Sequence, residues 1–157
     1  MKYNFFKSYY FQNENTEISS NLISEQDFYY RFYYEPQLGI NVGERNINGK
    51  FDTVYYVGGN LKALTNYHNS IFKNINTFQT IEHVSNLTVI VKTYMNDIFL
   101  GALIINCNNR FEEERVSLYN EKFELLEYRE FLSNENEVVN KQRIFFPSTW
   151  NLVEEEI

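Results

Sequence analysis

One cysteine, two prolines, six glycines and two histidines are spread over 157 residues, and each scarcity narrows what the chain can do. A lone Cys107 cannot close a disulfide within the chain, so the sequence points to a reducing compartment and to a small buried thiol. The glycines form no phosphate-cradling loop, which argues against nucleotide chemistry. His68 and His83 stand fifteen positions apart without a companion cysteine or carboxylate at ligand spacing, so no metal site is assigned. No Ser, His and Asp fall in a nucleophile-elbow motif, and no catalytic residue is assigned. An unbroken apolar run of about 18 residues, the length of a membrane-spanning helix, is missing as well. The first eleven residues are aromatic and carry two lysines, but they have neither the apolar core nor the small-residue cleavage site of a signal peptide. The expected location is the cytoplasm or an organelle interior, and the expected organisation is a single domain over residues 1–157.

Charge is unevenly placed. Residues 1–110 hold nine acidic and nine basic side chains, whereas residues 111–157 hold twelve acidic and five basic ones and carry the whole net charge of -7. An acidic surface repels phosphate backbones, which argues against nucleic-acid binding and favours a basic protein partner. Glu112, Glu113 and Glu114 form the densest acidic run before the tail and are the candidate protein-docking residues. Glu154 to Glu156 read as a solvated end.

What the chain has in excess is aromatic residues, 14 Phe, 13 Tyr and one Trp. They suit pleated, half-buried surfaces, and their number leaves some to line a cavity or an interface. Short apolar stretches alternate with Asn-rich corners, and three corners share one pattern: Asn48-Gly49-Lys50-Phe51, Asn96-Asp97-Ile98-Phe99 and Asn120-Glu121-Lys122-Phe123. Asn tolerates and Gly adopts positive φ, so these segments predict hairpins. Strands are expected over 2–11, 28–34, 38–47, 51–57, 78–84, 87–95, 98–106, 115–119, 122–132 and 138–146, with Ser133 to Glu137 as a loop. Leu61, Leu64, His68, Ile71, Phe72 and Ile75 fall at helical spacing behind Asn60, a capping residue, and predict one helix. A helical turn is also expected through Ile18, Leu22 and Ile23. The fold class is therefore all-β, mainly an antiparallel meander of about nine or ten strands with one helix. The expected architecture is a closed up-and-down barrel, with a two-sheet sandwich as the alternative.

Arg115-Val116-Ser117-Leu118-Tyr119, Leu125-Leu126-Glu127-Tyr128 and Arg143-Ile144-Phe145-Phe146 followed by Asn151-Leu152 resemble the lipocalin-like barrels of cyanobacterial and plastid type, among them the phycobiliprotein chromophore lyases. The resemblance covers the C-terminal third. It implies a calycin barrel that holds a linear tetrapyrrole or another apolar ligand, and, for the lyases, delivery of that pigment to a cysteine of another protein.

Two functional readings, and a third, stay open at this level. The first is a small binding protein that holds an apolar or aromatic ligand, with Tyr30, Arg31, Tyr55, Tyr128, Arg129 and Arg143 as candidate lining residues. The three arginines sit inside strand-like stretches and could each hold a carboxylate; each could equally face outward and pair with a cross-strand Glu. The second is an acidic inhibitor of a basic protein, such as a bacterial toxin immunity protein. The third is a structural subunit of a phage or other large assembly.

Overall fold

A computed structural model describes the whole chain apart from residues 134–138. In order the elements are β1 (Asn4–Phe6), β2 (Glu17–Ile18), a 3-10 helix (Ser20–Glu25), β3 (Phe28–Glu35), β4 (Ile40–Ile47) and β5 (Lys50–Val57). There follow α1 (Leu61–Ile71), β6 (Thr77–His83), β7 (Thr88–Met95), β8 (Ile98–Cys107), β9 (Glu113–Tyr119), β10 (Leu125–Ser133), β11 (Val139–Phe146) and β12 (Asn151–Glu156). Beyond Ser133, which ends β10, the loop expected at 133–137 lies outside the described residues.

The fold is all-β in class, but it is neither a barrel nor a sandwich. All twelve strands belong to one open sheet, in the order β12-β11-β10-β9-β8-β7-β6-β5-β4-β3-β1-β2. A barrel requires the first and last strands to pair, and here β12 and β2 are the two ends. A sandwich requires two sheets. The meander is also interrupted once: β5 and β6 are parallel, Tyr55 opposite Gln79. Parallel neighbours need a crossover, and α1 is that crossover.

The chain falls into two compact units, Met1–Glu82 with Lys92–Phe99, and His83–Val91 with Leu100–Ile157. In the N-terminal unit, strands β3, β4 and β5 pair antiparallel, so that Tyr33, Val42 and Tyr56 lie side by side on one face, and Phe32, Gly43 and Tyr55 on the other. The first face meets α1. Leu64 and Tyr67 of the helix pack with Tyr33, Val42, Val54, Tyr56 and Phe78, all buried. The helix begins where the sequence predicts, with the Asn60 side chain accepting from the Ala63 N–H at 3.2 Å. The second face carries its own rings: Phe6 against Phe32 at 5.8 Å and Tyr9 stacked on Tyr55 at 4.6 Å. This two-sided burial explains why β3, Phe-Tyr-Tyr-Arg-Phe-Tyr-Tyr-Glu, shows no alternation.

The C-terminal unit holds β9 to β12 in antiparallel succession, with no helix among its described residues. Val89, Val91, Ala102, Ile105, Cys107 and Ile144 are buried, while most other strand residues are only half-buried and all of β12 is exposed. Burial, reinforced by Glu113 and Glu114, pushes the Cys107 thiol up to about 12, which leaves it an inert packing group.

Candidate interaction face

In the C-terminal unit the registers line up side chains of alternating charge. Arg115 of β9 lies opposite Glu130 of β10, Glu130 opposite Arg143 of β11, and Arg143 opposite Glu154 of β12. Side chains directly opposite on neighbouring strands share a face, so these four residues form one row. The outer pair is closed, with Arg143 Nε 2.9 Å from Glu154 Oε2, and Lys141 Nζ lies 3.8 Å from the other Glu154 oxygen. The Arg143 guanidinium holds the Glu154 carboxyl below the usual carboxylate range. In the neighbouring row Ser117 is followed by the aromatic and apolar residues Tyr128, Phe145 and Leu152 as successive partners. Together Tyr128, Glu130, Arg143, Phe145 and Leu152 line an open groove of about 360 Å³.

The reverse face repeats the arrangement with different atoms. Arg129 Nη2 donates to Glu127 at 2.6 Å and its Nη1 to Gln142 Oε1 at 3.2 Å, and Gln142 Nε2 donates to Glu155 Oε2 at 3.0 Å. Both polar chains run outward across the sheet and end on a glutamate of β12. Exposed ion pairs of this kind add little to stability, because solvent screens them. Their larger effect is on which charges the outer strand presents.

The residue before β12 is unusual. Trp150 has φ of 57° and is 84% exposed, its ring touching Phe145 at 6.2 Å between centroids. A bulky residue in the left-handed region costs about 1–2 kcal/mol, and here that cost holds a large aromatic out in solvent. Leu152 and Ile157 are also exposed.

The sequence-predicted residues divide between places. Tyr128 and Arg143 share the groove, whereas Arg129 projects from the other face of the same sheet. Tyr30 and Tyr55 are brought together in the N-terminal unit, but as packed rings 5.7 Å apart, both buried. Arg31 pairs with Glu44 across the strands, Nε to Oε2 at 2.8 Å, with its guanidinium carbon 3.7 Å from the Phe51 ring centroid. Glu112 pairs with Arg110 at 2.9 Å, and Glu113 and Glu114 border an open cleft of about 450 Å³ with Asn108, Phe131 and Leu132.

His68 is fully buried. Its Nε2 lies 2.6 Å from the Ile75 carbonyl, which can only accept, so the proton is on Nε2; Nδ1 then accepts from the Tyr56 hydroxyl at 2.8 Å. Among the described residues no group of three His, Cys, Asp or Glu is placed to hold a metal, and no helix is long and apolar enough to cross a membrane.

Sequence reasoning missed β12 and the charged row. The signal was there: Lys141 and Arg143, two apart, and Glu154 and Glu156, two apart, lie symmetrically about the Pro147–Trp150 turn with opposite signs, as an antiparallel pair requires. Comparison with protein-family models, with curated proteins and with solved structures finds no match.

Proposed function

We propose that this chain is a protein-binding module that docks a basic polypeptide on the outer strands of its C-terminal unit, as an inhibitor covering a cationic surface would. The observation that carries the reading is β12, an end strand exposed along its whole length, bearing Glu154, Glu155 and Glu156 and flanked by the exposed Trp150 and Ile157. Acidic groups steer a basic partner, and an exposed tryptophan supplies the apolar contact that typically dominates an interface. Native mass spectrometry of the protein taken from its own host tests this. The expected result is a stoichiometric complex with a basic protein that dissociates as ionic strength rises. A bare monomer overturns it.

A second reading, retention of an apolar or aromatic ligand, no longer has a barrel lumen to rest on. The groove of Tyr128, Arg143, Phe145 and Leu152 is what favours it. In the same spectrum it requires an adduct of small-molecule mass, lost on substitution of Tyr128.

A further inference from the structure

β12 offers a partner more than charge. In the sheet order it is an end strand with β11 as its one neighbour among the described residues, so one edge of its backbone has no strand against it. Unpaired edges of this kind template the addition of another strand. The side chains beside that edge say what the added strand should carry. The row Arg115, Glu130, Arg143, Glu154 alternates in sign and stops on an anion, and the neighbouring row ends with Lys141 opposite Glu156. The position after Glu154 and the position after Glu156 therefore call for cations. The row Ser117, Tyr128, Phe145, Leu152 stops on an apolar residue and calls for another.

A second copy of this chain does not meet that demand. Residues 151–157 contain no lysine or arginine, so self-pairing of β12 puts no cation opposite Glu154 in any register, and the register centred on Glu154 sets like charges face to face. The edge is built for a different sequence.

Resting on the basic-partner reading above, we propose that an extended basic segment of the partner adds to β12 as an antiparallel thirteenth strand, with Lys or Arg opposite Glu156 and Glu154 and an apolar residue opposite Leu152. Because antiparallel strands run in opposite senses, the order in the partner is cation, any residue, cation, any residue, apolar. Trp150 lies past the apolar end of this pattern, where its exposed ring covers the added strand's last turn of pleat.

The probe is a synthetic peptide with the core Lys-Lys-Arg-Val-Leu-Thr, added to the full-length protein at about 0.15 M ionic strength. Emission of the single tryptophan is the readout, since Trp150 lies at the edge of the site. Two further peptides carry the same side chains with alternate backbone amides N-methylated, one in each phase, which keeps charge and removes the N–H groups that face the sheet edge. The expected result is saturable binding with a blue shift of Trp150, about tenfold or greater weakening by one methylation phase, and little effect of the other. Glu154→Lys should weaken the basic peptide by a similar factor and gain binding to a version with Glu in place of its Arg; this variant changes an exposed side chain, and its far-UV circular dichroism verifies the fold. Equal binding of all three basic peptides overturns strand addition while leaving a basic partner in place. No binding of any peptide overturns strand addition as well, and the basic-partner reading then stands or falls on the native complex alone.

Discussion

Tyr56→Phe removes one oxygen atom from the middle of the N-terminal unit. Tyr56 and His68 are both fully buried, and burial pushes the Tyr56 hydroxyl far above its ordinary pKa, so it is a permanent donor to His68 Nδ1 at 2.8 Å. The ring itself packs edge-on to Phe78, 5.3 Å between centroids, and a phenylalanine keeps that contact. What the variant loses is the hydrogen bond, and what it leaves is a buried imidazole nitrogen with no donor. An ordinary hydrogen bond contributes about 1 kcal/mol net, and a buried acceptor stripped of its partner costs about 1–3 kcal/mol. The hydrophobic gain of Phe over Tyr is small at a site already closed to water. The expected destabilisation is therefore about 1–3 kcal/mol, read as a shift of the urea midpoint at unchanged slope. A shift below about 0.5 kcal/mol would refute the assignment of a structural hydrogen bond between these rings.

Stability should also depend on His68 through pH. In the unfolded chain this imidazole titrates near about 6.5, whereas burial lowers its pKa in the fold. Between those two values the unfolded chain binds a proton that the fold does not, so stability is complete above about pH 7 and drains away as pH falls through 6.5 toward the folded value; urea titrations at several pH values check the slope, and its absence in a His68→Gln variant checks the assignment. Gly43→Ala should destabilise by about 1–3 kcal/mol or prevent folding, because a Cβ there would stand 2.3 Å from the Phe32 ring, which is buried and has no room to retreat. Trp150→Gly should raise thermal stability by about 0.5–1 kcal/mol by relieving the left-handed backbone, while weakening any partner held at β12. An unchanged or lower melting temperature would show that the Phe145 contact outweighs the strain.

Much of the N-terminal unit can be read from the chain. Asn48 and Gly49 take φ of 52° and 83° and turn the β4–β5 hairpin as their residue types demand. The helix behind Asn60 is where its apolar spacing puts it. The parallel pair is not legible there: a helix between two strands permits either direction, and only the packing of α1 on the β3–β5 face sets β6 beside β5 in the same sense. A continuous meander, and the barrel built on it, fails at that step.

Corners were harder. Asn120 looks like Asn48 and Asn96, yet it belongs with Asn108. In Asn108-Asn109-Arg110-Phe111-Glu112 and Asn120-Glu121-Lys122-Phe123-Glu124 the Asn carboxamide accepts from the second and fourth following N–H groups, at 2.9 and 3.1 Å in the first and 2.9 Å for both in the second. The left-handed residue is the Phe, φ 60° and 61°. Local side-chain hydrogen bonding of this kind lengthens the turn beyond two residues, while β9 and β10 still pair antiparallel across it, Tyr119 opposite Leu125, as the hairpin reading expects. For the same reason β10 starts at Leu125 and not at Lys122: Lys122 and Glu124 are spent on the turn. The candidate site was the least legible part. Three consecutive glutamates have low strand propensity, and their partners, Arg143, Gln142 and Lys141 of β11, are recognisable only once the antiparallel register is known.

The most direct test of the account is amide hydrogen exchange in the complex with the partner, or with the Lys-Lys-Arg-Val-Leu-Thr peptide, compared with the free protein. Strand addition predicts new protection at alternate amides of residues 151–156, whose free edge exchanges fast in isolation, with little change in β3 to β5. Protection that leaves 151–156 untouched and appears elsewhere, at the Glu112–Glu114 corner or over Tyr30 and Tyr55, would contradict it.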